Sequence, residues 1–423
     1  MLENNYPKDW STATIKNLTQ RFLNGGTPST HINEYWDGDI PWITGADAEQ
    51  RVTITSRKTI TALGVKRSST NIVPKGNILL VTRTGVGKVS MAGVDVAISQ
   101  DLTGIIPRVD LIDVPYLYYQ LTQIASDLKS FAQGSIIQGI KREQVEAIEI
   151  PLPELTEQRV IAEILSTLDE SIAKSESLVR KYQSLKQGLM YDLLTRGIND
   201  NGELRPSYEE APNLYRETSL GRSPKEWDGC TLLEIVPVVE YGTSVAMHDE
   251  PDGIPVLRMN NLFDGEFDLS ELRYSKNLDA YRHKLKSNDV LFNRTNSLEH
   301  VGRTSIWKGT EDMSFASYLV RLSPDTKRVL PDYLNFWMNL PQTQLAIRRY
   351  ATPGVHQVNI NPTNLRKTNI TLPKKLSEQE KIVGMIHNQK QVLKAEVAAL
   401  VKLQVLKQGL MQDLLNGQVR VKV

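Results

Sequence analysis

Ten residues, Leu185-Lys186-Gln187-Gly188-Leu189-Met190-Tyr191-Asp192-Leu193-Leu194, return near the C-terminus as Leu406-Lys407-Gln408-Gly409-Leu410-Met411-Gln412-Asp413-Leu414-Leu415, with Tyr191 against Gln412 the single difference. The same offset of 221 positions, carried backward without a gap, sets Glu157-Gln158 on Glu378-Gln379 and Ile161 on Ile382. A repeat this close requires two copies of one structural element. Each copy reads as one long helix. The 4,3 apolar spacing runs through Ile161, Leu165, Leu168, Ile172, Ser175, Val179, Tyr182, Lys186, Leu189 and Leu193 in the first. In the second it runs through Ile382, Ile386, Gln389, Leu393, Glu396, Leu400, Leu403, Lys407, Leu410 and Leu414. Leu178, Leu185, Met385 and Leu406 widen the stripe, as expected of a helix that meets a second partner. Pro153 and Pro373 precede the two starts, and Ser377 with Glu380 has the spacing of a capping box.

A polar position shared by both seams decides how the helices pair. Parallel and in register, Lys186 would meet Lys407 with nothing to offset the desolvation of two like charges. Antiparallel pairing instead sets Lys186 near Gln389 and Lys407 near Leu168, where a lysine can carry its ammonium out to water. Two helices packing in separate domains is the plainer alternative, and it leaves so close a repeat unexplained.

At 423 residues the chain has room for two or three domains with their own cores. A single cysteine, Cys230, excludes a disulfide framework and a cysteine zinc site and points to a reducing compartment. Six scattered histidines show no metal-ligand spacing, so no metal site is expected. The start, Met1 to Lys8, is polar, and no apolar run approaches the roughly 18 residues of a membrane span. The expectation is a cytoplasmic protein with no signal peptide and no membrane association. A net charge of +1 is low for a free-standing DNA binder, which clusters basic residues or relies on partners for phosphate contacts.

Residues 1–153 read as a strand-rich mixed domain. Apolar runs such as Asn77 to Thr82 and Ala147 to Ile150 alternate with turns at Gly25-Gly26-Thr27-Pro28, Gly38-Asp39-Ile40-Pro41 and Pro74-Lys75-Gly76. A helix is expected from Pro115 to about Phe131. The central helix takes residues 154–196, and residues 197–213 have the Gly, Asn and Pro content of an exposed linker. Residues 214–373 then replay the first domain, before the C-terminal helix of residues 374–423. Pro7-Lys8-Asp9-Trp10 is echoed by Pro224-Lys225-Glu226-Trp227, Gly26-Thr27 by Gly242-Thr243, and Ile40-Pro41-Trp42 by Ile254-Pro255-Val256. Leu79 to Thr84 matches Val290 to Thr295, which sets Arg83 on Arg294, and Gly87-Lys88 matches Gly302-Arg303. The expected class is α+β: two strand-rich mixed domains joined by two long antiparallel helices acting as a coiled-coil spacer, a tandem duplication with pseudo-twofold symmetry.

Over its whole length the chain resembles the specificity subunits of type I restriction-modification enzymes. The resemblance is carried by Gly25-Gly26-Thr27-Pro28, then Trp36 to Ile43, the Arg83-Thr84-Gly85 to Gly87-Lys88 turn, Gly134-Ser135, and Pro151-Leu152-Pro153 with Glu157-Gln158 opening a long helix. Its weight lies in that order, met twice. The second half departs from it: Gly242-Thr243-Ser244 lacks the proline, and His356-Gln357 stands where Ile136-Ile137 stands. The resemblance implies two target-recognition domains, each reading one half of a split, asymmetric site in double-stranded DNA. It also implies two methyltransferase subunits and restriction (translocase) subunits as partners. S-adenosylmethionine, ATP and magnesium would belong to those partners, with no cofactor in this chain. Helices of 35 to 40 residues at about 1.5 Å each span roughly 55 Å, enough to serve half-sites one duplex turn apart.

The residues themselves argue against catalysis. Gly85-Val86-Gly87-Lys88-Val89 lacks the first glycine and the Ser or Thr of a phosphate loop. Asn361-Pro362-Thr363-Asn364 lacks the second proline and the aromatic of an amino-methyltransferase loop, and Asp110, Glu146 and Glu149 do not form a nuclease cluster. No catalytic residue is expected. DNA contact calls for arginine on guanine, amides on adenine, and hydroxyls on phosphate. The candidates in the first domain are Thr27, Ser29, Thr44, Arg83, Thr84, Lys88, Gln100, Ser135, Gln138 and Lys141; in the second they are Thr243, Arg258, Asn260, Asn261, Arg294, Asn296, Arg303, His356, Gln357 and Asn359. Polar loop residues of these types equally cap turns. Trp10 and Trp227 are assigned to the core, and Trp42 to the core or to stacking on a base. Candidates for helix pairing or partner docking are Leu185, Gly188, Leu189, Met190 and Leu193 with Leu406, Gly409, Leu410, Met411 and Leu414. A glycine inside a helix costs about 1 kcal/mol relative to alanine, so Gly188 and Gly409 imply close approach of another backbone, from the other helix or a docked subunit. The alternative function is a coiled-coil scaffold whose lobes bind protein or another ligand.

Overall fold

The computed structural model describes residues 6–125, 139–355 and 357–422. It divides into two compact units, Met1–Ser177 with Val397–Val423, and Leu178–Glu396. The long helices are Leu155–Thr195 and Leu376–Leu415, of 41 and 40 residues. Each unit takes the first half of one long helix and the last half of the other. In the first unit Ile161 and Leu165 share a core with Leu414, Leu415, Tyr116 and Leu117. In the second, Ile382 and Ile386 share one with Leu193, Leu194, Tyr333 and Leu334.

The duplication is explicit in the sheets. The first unit has a five-stranded sheet ordered Thr19–Asn24, Leu102–Pro107, Ile78–Val81, Val89–Ala92, Val52–Thr53. The second has a four-stranded one ordered Val238–Tyr241, Leu319–Ser323, Val290–Asn293, Thr304–Ile306. Their first four strands correspond one to one. Ile78 to Val81 is buried at every position, which a strand covered on both faces requires and a continuous apolar run supplies. Beside each sheet lies a smaller one with a parallel pair. Trp42 faces Ala97 in the first, and its echo Val256 faces Ser314 in the second. Each domain closes by pairing its opening strand with the strand before its long helix: Ser11–Thr14 with Glu149–Leu152, and Asp228–Thr231 with Asn369–Leu372. The fold is therefore α+β and a tandem duplication.

Four local expectations need correction. The helix at Pro115 begins as expected, with the Asp113 side chain accepting the Tyr116 amide at 3.0 Å, but it ends at Gln123, short of Phe131. Phe131 lies outside the described residues. Ser377 does not cap the second long helix, which starts at Leu376 and so carries Ser377 and Glu380 inside its first turns. Residues 197–213 are exposed only in part. Ile198 bridges to Leu204 and is buried with Arg205, because the glycines and asparagines close a tight turn there, while Asp200, Asn201, Glu203 and Pro206 stay exposed. Nor are the seam lysines free in water: Lys186 and Lys407 are partly buried and their ammonium groups are ion-paired. Lys407 meets Asp169, the neighbour of Leu168, at 2.5 Å, while Lys186 and Lys390, the neighbour of Gln389, converge on Asp264.

Candidate nucleic-acid interface and helix anchors

In both domains three stretches distant in sequence are tied together by main-chain hydrogen bonds. In the first, Gly26 N donates to Ile98 O at 2.9 Å, Arg83 N to Asp101 O at 3.2 Å, and Ile140 N to Thr82 O at 2.8 Å. In the second, Thr243 N donates to Phe315 O at 2.9 Å, Arg294 N to Tyr318 O at 3.0 Å, and Ile360 N to Arg294 O at 2.8 Å. The glycine turn, the arginine after the strand and the segment before the closing strand thus form one loop cluster per domain, but the backbone bonds set Thr243 on Gly26 and Arg294 on Thr82, one position from the sequence match in each case. Gly85 and Gly87, with φ of 89° and 90°, make the turn after Arg83 in a region that side chains avoid.

Within the first cluster Thr27 hydrogen-bonds Gln100, both exposed. Exposed Ser29 offers its carbonyl to the Trp36 indole at 3.0 Å, and the Thr84 hydroxyl lies 3.4 Å from the Asp101 carboxylate. Lys88 pairs with Glu49 at 3.2 Å. Arg83 is exposed, and among the described residues its guanidinium has no hydrogen-bond or ion-pair partner. Lys141 is exposed at the start of the short helix Arg142–Glu146, where its amide donates to Gln144 at 2.9 Å. Thr44 is committed to a turn: its amide and hydroxyl donate to Asp47 at 2.9 and 2.6 Å, and Arg57 joins them. Burial by itself would raise the Asp47 pKa, but these hydrogen bonds outweigh it and hold the carboxyl below its ordinary range. Ser135 and Gln138 lie outside the described residues.

The second cluster is more tightly bound to itself. Arg294 donates to Asn359 Oδ1 at 3.1 Å and to Ser317 O at 3.5 Å, and its guanidinium lies 5.1 Å from the Tyr241 ring centre. Asn359 continues to Thr295 at 2.8 Å, and Asn296 accepts the Ser297 amide at 2.8 Å. Two candidates are closed to a duplex by burial. Thr243 is 1% exposed with its hydroxyl on Asp279 at 2.6 Å, and Asn261 is 3% exposed with its amide on the carbonyls of Asp268 and Glu271. Half-buried Arg258 lies 3.4 Å from Glu271 O, Arg303 is half-buried, and Asn260 and Gln357 are exposed. His356 lies outside the described residues. Trp42 belongs to the core: its indole donates to Gly26 O at 3.0 Å, and its ring meets Trp36 edge-on.

At the helix starts the structure reveals anchoring contacts that the sequence pattern had not marked. Glu157 accepts the Trp10 indole at 3.2 Å and Arg420 at 2.7 Å; Glu378 accepts the Trp227 indole at 3.3 Å and Arg205 at 2.5 Å. Burial would loosen the proton of Arg205, but Glu378 and then Glu226 hold its guanidinium more firmly charged than usual. The adjoining Gln158 and Gln379 cap backbone carbonyls of Pro153 and Pro373 at 2.8 and 3.1 Å. The Glu-Gln repeat was visible in the sequence, but its arginines were not, since they follow the opposite helix ends at unequal spacings.

Of the docking candidates, Leu193 and Leu414 are buried, and Leu189, Met190, Leu410 and Met411 pack against the cores. Leu185 and Leu406 are each 49% exposed. A Cβ at Gly188 or Gly409 would meet nothing within 4 Å, so these glycines are not explained by contact with the other helix. Among the described residues there is no cluster of three metal-ligating side chains, and no helix is long and apolar enough to cross a membrane.

Known proteins resemble this chain in sequence and fold. The chain is 31% identical over 310 residues to the type I restriction enzyme MjaIX specificity subunit of Methanocaldococcus jannaschii, covering 71% of this chain and 69% of that one. It is 25% identical to the EcoBI specificity subunit of Escherichia coli, over 64% of this chain and 57% of that one. The crystal structure of the type I restriction-modification S subunit from M. genitalium superposes with a TM-score of 0.60 at 16% identity, covering 98% of both chains, which shows a common fold. The family model described as the type I restriction modification DNA specificity domain matches twice, over residues 7–181 and 224–399, and the chain belongs to that family.

Proposed function

We propose that this chain is the DNA sequence-specificity subunit of a type I restriction-modification complex, acting in the cytoplasm and carrying no reaction of its own. Each domain reads one half of a bipartite, asymmetric site through its loop cluster. The observation that carries this reading is the recurrence of the cluster with the same three segments but different side chains. A shared frame with divergent contacts suits two half-sites of different sequence. In the first domain Arg83 is the residue suited to a guanine edge, with Thr27, Ser29, Thr84, Gln100 and Lys141 beside it. In the second, Arg258, Asn260, Arg303 and Gln357 retain exposed or half-exposed polar groups.

Two methyltransferase subunits would dock on the exposed Leu185-Gly188 and Leu406-Gly409 faces, which are identical by the repeat, and restriction subunits would join the assembly through them. S-adenosylmethionine, ATP and magnesium would be held by those partners. The near-neutral charge of this chain agrees with partners supplying many of the phosphate contacts.

The test is the spacer. Inserting one heptad after Val179 and one after Leu400 preserves the apolar period and lengthens each helix by about 10 Å. The methylated motif recovered from cells carrying the whole complex should keep both half-sites and gain about three unspecified base pairs between them. An active complex that methylates the original spacing would reject the helices as the ruler. Methylation with unrelated half-sites would reject the reading itself, in favour of a scaffold.

A further inference from the structure

The offset that superposes the long helices has a chemical discontinuity in it. It sets Lys186 on Lys407, but it sets Asp169 on Lys390 and Ser166 on His387. In the first unit the pair is complementary, and Lys407 binds Asp169 at 2.5 Å. In the second unit the same two places hold two lysines. Their side chains are mostly buried, 12% and 14% exposed, where like charges cannot be left unanswered.

The answer comes from the recognition domain. The hairpin Leu262–Phe263 with Glu266–Phe267 turns at Asp264-Gly265, with φ of 48° and 79°. The Asp264 carboxylate takes Lys186 at 2.6 Å, its carbonyl lies 3.4 Å from Lys390, and Glu266 forms an ion pair with Lys390. The corresponding segment of the first domain is identified by a shared backbone bond: Ile306 N donates to Gly265 O at 3.1 Å as Met91 N donates to Arg51 O at 2.8 Å. There the same place holds a basic residue, Arg51. Arg51 donates to Ser166 at 2.6 Å and to the Tyr119 hydroxyl at 3.2 Å, and Tyr119 in turn donates to Asp169 at 2.7 Å.

We propose that these contacts are keys of opposite polarity that seat each recognition domain on its own stretch of the long helices. Arg51 fits the Ser166–Asp169 seat, and Asp264 with Glu266 fits the Lys186–Lys390 seat. A domain of the first type on the second seat would bring a guanidinium against His387 and two lysines. Asp264 and Glu266 are thus positioning residues, and foreign second domains are accepted when they carry an acidic turn at this point. The inference rests on the recognition role proposed above only for its functional readout; the seating itself is read from stability.

The experiment uses the full chain, alone and assembled with its partner subunits. Asp264→Asn keeps a residue type that tolerates positive φ, so D264N with E266Q removes charge while sparing the turn. This double variant should melt several degrees lower and methylate the cognate site at least 10-fold more slowly. Adding K390D rebuilds the first-unit pair opposite Lys186 and should restore both to near the parent values. Should the double variant fail to fold, recovery of folded protein on adding K390D supports the key, and failure to recover overturns it. A double variant that melts like the parent overturns it as well. Restored melting without restored methylation keeps the seat but rejects its role in positioning. The recognition reading fails separately, through loss of the half-sites in the spacer experiment.

Discussion

Arg83 and Arg294 follow corresponding strands one position out of register, since Ile360 N binds Arg294 O where Ile140 N binds Thr82 O, and they have different work. Arg294 is held by Asn359, Ser317 and Tyr241, whereas Arg83 is exposed with no such partner among the described residues. Arg83→Ala should therefore leave the thermal midpoint unchanged and relax discrimination in one half of the methylated motif, by about 1–3 kcal/mol if a bidentate guanine contact is lost. Arg294→Ala should instead destabilise the chain by about 1–3 kcal/mol in denaturant titration, since Asn359 loses its partner. Equal effects of the two would reject this division. The helix anchors also differ in depth. Arg205 and Glu378 have side chains 10% and 13% exposed, while Arg420 is 42% exposed. Arg205→Ala should cost about 3 kcal/mol by stranding a buried carboxylate, and Arg420→Ala should cost less and lose its effect in high salt. At Asp47 the folded pKa lies below the unfolded one, so its contribution is present above the ordinary carboxylate range and lost as pH falls through the lowered value. Asp47→Asn should lower the midpoint at neutral pH and narrow the gap to the parent as the solution is acidified.

The long helices carry a glycine that stability alone would not keep. With nothing within 4 Å of a Cβ at Gly188 or Gly409, alanine at either place fits, and the helix should gain up to about 1 kcal/mol at each. The double G188A/G409A variant should thus be more stable by itself and weaker in capturing methyltransferase subunits from a co-expression lysate. Greater stability with undiminished capture would show that no partner backbone approaches these glycines. The helix starts teach a related lesson. Ser377 and Glu380 have the right spacing for a capping box, but the Glu378 contacts with Arg205 and Trp227 and the Gln379 contact with the Pro373 carbonyl organise the first turn two residues earlier. Tertiary partners outweigh a local cap worth about 1 kcal/mol.

Under the proposed function, the matched sheets and loop clusters make the two domains separate readers. Exchanging residues 1–153 for the corresponding domain of another family member should change one half of the methylated motif and leave the other intact. A change in both halves, read by mapping methylated bases in the host genome, would refute independent reading. The isolated chain, near neutral, should bind DNA weakly and lose that binding steeply with salt, as measured by titration at two ionic strengths.

The repeat of Leu185 to Leu194 at Leu406 to Leu415, with its apolar period, was enough to establish two long helices, because a seam of alternating four and three residues has one regular solution. The echoes around Gly26, Ile40-Pro41 and Arg83 likewise established a duplicated strand-rich domain, although the backbone bonds place the first and the last of them one position off the sequence match. Which polar side chains remain available was not legible. Thr243 and Asn261 look like Thr27 and Asn260 in sequence, and only their burial and their bonds to Asp279, Asp268 and Glu271 set them apart. The charge logic of the helices was hidden for the same reason. Lys186, Lys390, Asp264 and Arg205 act on residues tens to nearly two hundred positions away, and such pairings exist only once the chain has brought them within a few ångströms.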